Sequence, residues 1–163
     1  MRRKNALFLN MSKVSRHRFL LMLTLSAATF MSFTTWQPDY ETARKTAAAR
    51  HQLILLNFSG SDWCGPCIRL KREIFSTDVF SKMADSSLVL FNADFPRAKK
   101  HQLSPGEKEE NNLLADKFNP TGIFPLTLLI DENGRIVKRW EGLPDMDSTS
   151  FTQKVKAICE AAK

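Results

Sequence analysis

Leu53-Ile54-Leu55-Leu56-Asn57-Phe58-Ser59-Gly60-Ser61-Asp62-Trp63-Cys64-Gly65-Pro66-Cys67 is the stretch that decides the fold of this chain. Leu53 to Phe58 is an uncharged, largely apolar run of strand length, the pattern of a strand buried on both faces. Ser59-Gly60-Ser61-Asp62 has the composition of a loop. Two cysteines one helical turn apart follow it. A helix beginning at Cys64 places the first sulfur where backbone N–H groups lack partners and the positive end of the helix dipole lies. That environment favours thiolate over thiol, and the thiolate is the species that attacks disulfides. Cys67, one turn further in, is placed to attack the mixed disulfide and release the substrate. Pro66 fits the first turn, where its missing N–H costs nothing. The chemistry implied is reversible dithiol–disulfide exchange. Zinc sites share the spacing, but zinc prefers four ligands, and only Cys159 and three scattered histidines remain. No metal or other cofactor is expected.

Trp63-Cys64-Gly65-Pro66-Cys67 after a hydrophobic strand, with Phe124-Pro125 ahead of the strand-like Leu126-Thr127-Leu128-Leu129-Ile130, resembles the thioredoxins. Among them it is most similar to exported bacterial thioredoxin-like proteins, whose approach to the motif often reads as Ser61-Asp62-Trp63-Cys64 does here. The resemblance covers roughly Asp39 to Lys163. It implies an α/β fold, a central mixed β-sheet flanked by helices on both faces. It assigns Cys64 as nucleophile and Cys67 as resolving thiol. It also implies a cis Pro125 facing the dithiol, and a docking surface for an extended substrate made by Trp63, Gly65, Pro66, Phe124 and Pro125. Gly142 falls where thioredoxins also carry a glycine near that surface. The implied function is a thiol–disulfide oxidoreductase, a monomer that reduces or isomerises protein disulfides and is re-reduced by a membrane electron carrier. The alternative is a periplasmic thioredoxin-fold module that binds a partner or handles a metal without turnover.

The chain also departs from that family. Thioredoxins bury an acid beneath the dithiol, paired with a lysine on the neighbouring strand. With one extra loop residue allowed, those places fall on Asn57 and Leu90. Asparagine cannot shuttle a proton at physiological pH, so resolution must manage protons differently. Ile68 stands after the second cysteine, where the family often has lysine. The Gly-Pro linker implies a reducing pair. Thioredoxin and the strongest periplasmic oxidant of the fold lie about 150 mV apart, roughly 7 kcal/mol for two electrons. Loss of the buried negative charge at Asn57 moves the pair part of that way toward oxidising. His51 and His101 read as solvent-facing.

A length of 163 residues with 43% hydrophobic content predicts one globular domain and a short appendage. The net charge of +7 suggests a polyanionic partner until its distribution is considered. Six basic residues, Arg2 to Arg18, precede the first acid, Asp39, which leaves +1 from there onward. A near-neutral domain has no footprint for nucleic acid. Residues 1–35 have the anatomy of a signal peptide: a basic stretch to Arg18, an apolar run Phe19–Leu25, and small residues Ser26-Ala27-Ala28 suited to cleavage. Met11 to Phe33 would be a complete signal by itself. An uncleaved signal-anchor is the alternative, although Phe19–Phe33 is shorter than the ~17–25 residues a spanning helix needs. Export to the periplasm is expected, with residues 36–163 as the folded domain.

Within that domain, Trp36 to Tyr40 reads as a junction, and Asp39 caps an Ala-rich helix from Tyr40 to about Arg50. The active-site helix is expected from Cys64 to Phe75, with Ile68, Leu70 and Ile74 as its apolar contacts at imperfect spacing. Leu88–Asp94 reads as a strand parallel to the first. Pro96 to Asn112 is strongly polar and resembles an insertion. It is expected to be a solvated loop, with a substrate-selecting lip as the alternative, leading to a helix from near Pro105 that packs Leu113, Leu114 and Phe118. Leu126–Ile130 and Arg135–Trp140 form a hairpin, for which Asn133-Gly134 predicts a type I′ turn. The last helix, Ser148 to Ala162, carries Phe151, Val155, Ile158 and Ala162 at helical spacing, with Cys159 as a buried inert thiol.

Overall fold

The computed structural model describes residues 35–162, so residues 1–34 of the expected signal segment lie outside it. Among the described residues, no helix is long and apolar enough to cross a membrane.

The strands β1 (Leu53–Ser59), β2 (Leu88–Asp94), β3 (Leu126–Ile130) and β4 (Ile136–Glu141) form one mixed sheet in the order β2-β1-β3-β4. β1 pairs parallel to β2 and antiparallel to β3, and β3 pairs antiparallel to β4. Every residue of β1 is buried, as its uncharged run requires. Alternation along β1 sends Leu53 and Leu55 to one face and Ile54, Leu56 and Phe58 to the other.

Helices cover both faces. Helix α1 (Tyr40–Arg50) is capped by Asp39, whose carboxylate accepts the Thr42 N–H, and buries Ala43 and Ala47. With α4 (Pro105–Phe118), which buries Leu114 and Phe118, it closes the face of Ile54, Leu56 and Phe58. The other face is aromatic. Phe75, Phe80, Trp140 and Phe151 cluster there under α2 (Gly65–Leu70), α3 (Asp78–Ser87) and α5 (Ser148–Ala161). Cys159 is buried in this core, as expected.

Several expectations need correction. The active-site helix does not run unbroken to Phe75: α2 ends at Leu70 and one π turn spans Lys71–Phe75. The extra residue of that turn explains the uneven apolar spacing, since Leu70 and Ile74 are both buried while Ile68 is 43% exposed. Asp78–Ser87, for which the pattern predicted no separate element, is a helix. Thr77 caps it and Phe80, Met83 and Ala84 face the core. Trp36 and Gln37 are more than a junction: Trp36 bridges Leu90 at the sheet edge and Gln37 N–H donates to the Leu90 carbonyl at 2.8 Å.

The polar stretch is not one solvated loop either. It holds a 3₁₀ turn, Lys99–His101, ahead of α4, which starts at Pro105 as expected, behind a reciprocal capping box of Ser104 and Glu107. Leu113 points to solvent rather than to the sheet. Finally, the hairpin turn is not type I′, because that turn needs positive φ at both central residues and only Gly134 has it. The Asp131 carboxylate accepts the N–H groups of Asn133 and Arg135, and the Gly134 N–H donates to the Asp131 carbonyl. Those bonds hold a turn around Asp131, and β4 starts one residue later than expected.

Candidate active site at the Cys64–Cys67 disulfide

β1 ends against the loop Gly60–Trp63, which carries the chain up to Cys64. Gly60 is required there, because a Cβ on it would lie 2.2 Å from the Trp63 indole. Its carbonyl accepts the N–H groups of Trp63 and Cys64. Cys64 caps α2, its sulfur accepting the Cys67 N–H at 3.2 Å. The two cysteines form a disulfide with their Cα atoms 5.2 Å apart. Both are only 5% exposed in this oxidised form, so exposure does not distinguish Cys64 from Cys67. The cap position still separates them: an N–H is directed at the Cys64 sulfur, the arrangement that stabilises a thiolate there. Gly65 and Pro66 are exposed, and a Cβ on Gly65 would meet nothing.

The Phe124–Pro125 bond is cis. Phe124 packs edge-on to the Trp63 ring at 5.5 Å, which brings the proline segment to the same end of the sheet as the disulfide. Asn119 pins the approach through paired hydrogen bonds with the Ile123 backbone. Gly142, at φ +72°, donates its N–H to the Pro125 carbonyl. Trp63 is held on its other edge, where the indole N–H donates to the Phe95 carbonyl at 2.7 Å and the Arg97 guanidinium lies 3.7 Å over the ring.

Beneath the disulfide, Asn57 is buried and central to a hydrogen-bonded row. Thr127 Oγ1 donates to Asn57 Oδ1, Asn57 Nδ2 to Asn92 Oδ1, Asn92 Nδ2 to Ser59 Oγ, and Ser59 Oγ to Asp94 Oδ1. Every donor points the same way, and the row ends on a carboxylate that also accepts from the Ser61 N–H. Leu90, two residues before Asn92 on the same face, is buried in the core. Asn57, Ser59, Asn92, Cys67, Ile68 and Lys71 line a cleft of about 490 Å³. Of the basic residues behind the motif, Arg69 and Arg72 pair with Glu73, and Lys71 lines the cleft together with Cys67.

His51 is exposed at the end of α1. His101 is exposed too, as expected, with its Nδ1 3.1 Å from Asp62 Oδ2. Asp62 also accepts the N–H groups of Arg97 and Ala98, which hold its carboxyl below the usual aspartate value. Among the described residues, no group of three or more His, Cys, Asp or Glu side chains is placed to hold a metal ion.

Residues 35–131 match the family model described as thioredoxin-like. This chain belongs to the thioredoxin-like family. It is 31% identical over 122 residues to the disulfide bond reductase DsbH of Chlamydia pneumoniae, covering 75% of this chain and 70% of that one. It is 26% identical over 103 residues to the thioredoxin-related protein DsbJ of the same organism, of which it spans 29%. A solved DsbH oxidoreductase superposes with a TM-score of 0.69 at 27% identity, over 83% of this chain and 92% of that one. The thioredoxin of Thermus thermophilus shares the fold, with a TM-score of 0.59 at 17% identity over 81% and 91% of the two chains. Family and disulfide together place the chain among the thiol–disulfide oxidoreductases.

The thioredoxin-like framework brings Trp63, Cys64, Cys67, Phe124 and Pro125 to one end of the sheet. Three residues of the site were not predicted from the sequence. Asn92 is opposite Asn57 by strand register; both strands had been located, and aligning them would have found it. Gly60 is dictated by contact with Trp63. Asp62 reaches residues 35 and 36 positions away, and only its presence in the motif's approach hinted at a role.

Proposed function

We propose that this chain is an exported thiol–disulfide oxidoreductase that reduces or isomerises disulfides in proteins, with Cys64 as nucleophile and Cys67 as resolving thiol. The Cys64 thiolate attacks one sulfur of a substrate disulfide. A Cys64–substrate bond forms as the substrate S–S bond breaks, and the other sulfur leaves as a thiolate. The Cys67 thiolate then attacks the Cys64 sulfur, releasing the second substrate thiolate and closing the Cys64–Cys67 disulfide. Two electrons pass from the dithiol to the substrate, whose two sulfurs take up two protons in place of those given up by the cysteines. Trp63, Gly65, Pro66, Phe124 and Pro125 form the surface against which the substrate strand lies. Re-reduction falls to a membrane electron carrier, and residues 1–35 supply the export signal.

One observation carries this reading: the Cys64 sulfur caps α2, where the Cys67 N–H favours its thiolate, at the same end of the sheet as the Phe124–Pro125 segment. Supporting it, DsbH, to which the chain is similar along most of both lengths, is a disulfide bond reductase. The test is reduction of insulin disulfides by the reduced protein, together with a Cys67→Ser variant that stalls the mixed disulfide. Turnover, and substrate proteins trapped on Cys64, are the expected results. No turnover, with zinc or copper bound to the purified protein, would instead establish a binding module. Equilibration with glutathione sets the direction. A potential nearer about −270 mV than about −120 mV is expected for a reductase.

A further inference from the structure

Beside Trp63 lies a second cleft, of about 430 Å³, that the dithiol chemistry does not use. Trp63, Phe95, Arg97, Leu103, Lys108 and Phe124 are among its lining residues. Its outer wall is the segment Phe95–Leu103, and this wall is fastened to the active-site loop rather than left free. The Asp62 carboxylate takes the N–H groups of Arg97 at 3.0 Å and Ala98 at 2.8 Å, and His101 Nδ1 at 3.1 Å. The Trp63 indole N–H bonds the Phe95 carbonyl, and Phe95 packs edge-on to Phe124 at 5.4 Å. A wall held at both Asp62 and Trp63 is set in place by the two residues just before Cys64. The cleft therefore opens beside Trp63, the residue that immediately precedes Cys64.

Two cations, Arg97 and Lys108, and one carboxylate, Asp94, line the cleft, so its charge is predominantly positive. Arg97 and Lys108 are exposed, and among the described residues neither has a carboxylate within ion-pair distance. Lys99 and Lys100 sit on the 3₁₀ turn of the same wall. The acid that lines the cleft, Asp94, is engaged elsewhere: its carboxylate accepts from Ser59 Oγ, Ser61 N–H and Ser61 Oγ, and its carbonyl accepts from Asn111 Nδ2. Glu107 is occupied in the capping box and Glu110 accepts the Tyr40 N–H. The Arg97 guanidinium is already stacked on Trp63, so little freedom remains to be lost when it meets a ligand carboxylate. Aromatic rings with an adjacent, oriented arginine are the usual makings of a binding hot spot.

We infer that this cleft receives the substrate chain flanking the target cysteine, and that Arg97 and Lys108 select substrates carrying an acidic residue there. The inference rests on the oxidoreductase reading and names its substrate class. Arg97 and Lys108 are specificity residues, and Asp62 is the positioning residue that holds the wall. The test uses disulfide-linked peptides identical except for Asp, Asn or Lys beside the cysteine, with each rate divided by that for the neutral hydroxyethyl disulfide. The reduced protein is expected to favour Asp over Asn about fivefold in kcat/KM, and Asn over Lys by less. The preference should shrink as salt is raised, and fall toward unity in an Arg97→Gln, Lys108→Gln double variant. Equal rates for the Asp and Asn peptides, or an Asp preference that survives in the double variant, would overturn it. Failure to reduce even hydroxyethyl disulfide would be the distinct failure of the oxidoreductase reading, and the inference would go with it.

Discussion

Behind Cys67 the cleft holds a buried row of amides and hydroxyls with one cation, Lys71, on its wall, whereas the cleft beside Trp63 carries the exposed cations Arg97 and Lys108 next to aromatic rings. The first is a row of neutral groups handing hydrogen bonds from Thr127 to Asp94. The second is an outer wall tied on through Asp62. The contrast separates two demands on a dithiol. A buried charge under the sulfurs alters their titration and is costly unless paired. A charge at the solvent edge leaves the sulfurs alone and acts on whatever approaches. This chain sets uncharged side chains under the disulfide, with Asp94 at the far end of their row and Lys71 on the cleft wall, and places Arg97 and Lys108 where a partner would meet them.

The largest effect that bears on this contrast is at the sulfur both regions serve. Cys64→Ser should lower insulin-disulfide turnover by ~10³-fold or more, as loss of a nucleophile does, and alkylation of the reduced protein at neutral pH should label Cys64 before Cys67. Preferential labelling of Cys67 would reverse the assigned roles. Next comes the neutral row. Asn57→Ala leaves Thr127 Oγ1 without its acceptor and Asn92 Oδ1 without its donor in a buried place. A loss of about 2 kcal/mol follows from unsatisfied groups of this kind, measurable as a lower urea midpoint.

Putting a charge back sharpens the comparison further. Asn57→Asp should oppose the Cys64 thiolate and make the pair more reducing. A thiolate destabilised by one pKa unit, about 1.4 kcal/mol, corresponds to ~30 mV. Glutathione equilibration of both proteins measures it, and an unchanged or more oxidising potential would mean that the row does not sense the sulfurs.

The smallest effect concerns the wall. The N–H groups of Arg97 and Ala98 lower the Asp62 carboxyl below its ordinary 3.8. A depressed carboxylate adds stability that is fully present above the unfolded value and is lost as pH falls through the folded one. The wall should therefore loosen only below about pH 4, seen as a shift of the Ala98 amide resonance in an acid titration. Asp62→Asn should abolish that transition. An Ala98 resonance that does not move on acidification would mean that Asp62 does not fasten the wall.

Much of this was legible because it is local. β1 and β2 stand out as apolar runs of strand length, Asp39 as a cap, and Cys64 at a helix start, each a statement about neighbours in the chain. The helix at Asp78–Ser87 is equally local, with Thr77 before Phe80, Met83 and Ala84, but the expected active-site helix ends at Phe75 and no element is assigned between it and Leu88. The π turn left only the uneven spacing of Ile68, Leu70 and Ile74 as its sign. Asn133-Gly134 misled because Asp131 offers the turn a competing set of hydrogen bonds.

The sequence by itself determined that a dithiol stands after a buried strand, that a Phe-Pro pair precedes a second strand, and that no charge occupies position 57. Periodicity, capping and residue chemistry act over a few positions, and those features need no more. Only the tertiary structure decided that Asn57 meets Asn92 and Thr127, because strand register sets those partners across 35 and 70 residues of chain. It also decided that Asp62 and Trp63 hold Phe95 to His101 as the wall of a cleft. An exposed polar segment has no apolar pattern from which its position could be read. Its place comes from a few hydrogen bonds and one stacked guanidinium, and these exist only once the sheet has brought the ends of β1 and β2 together.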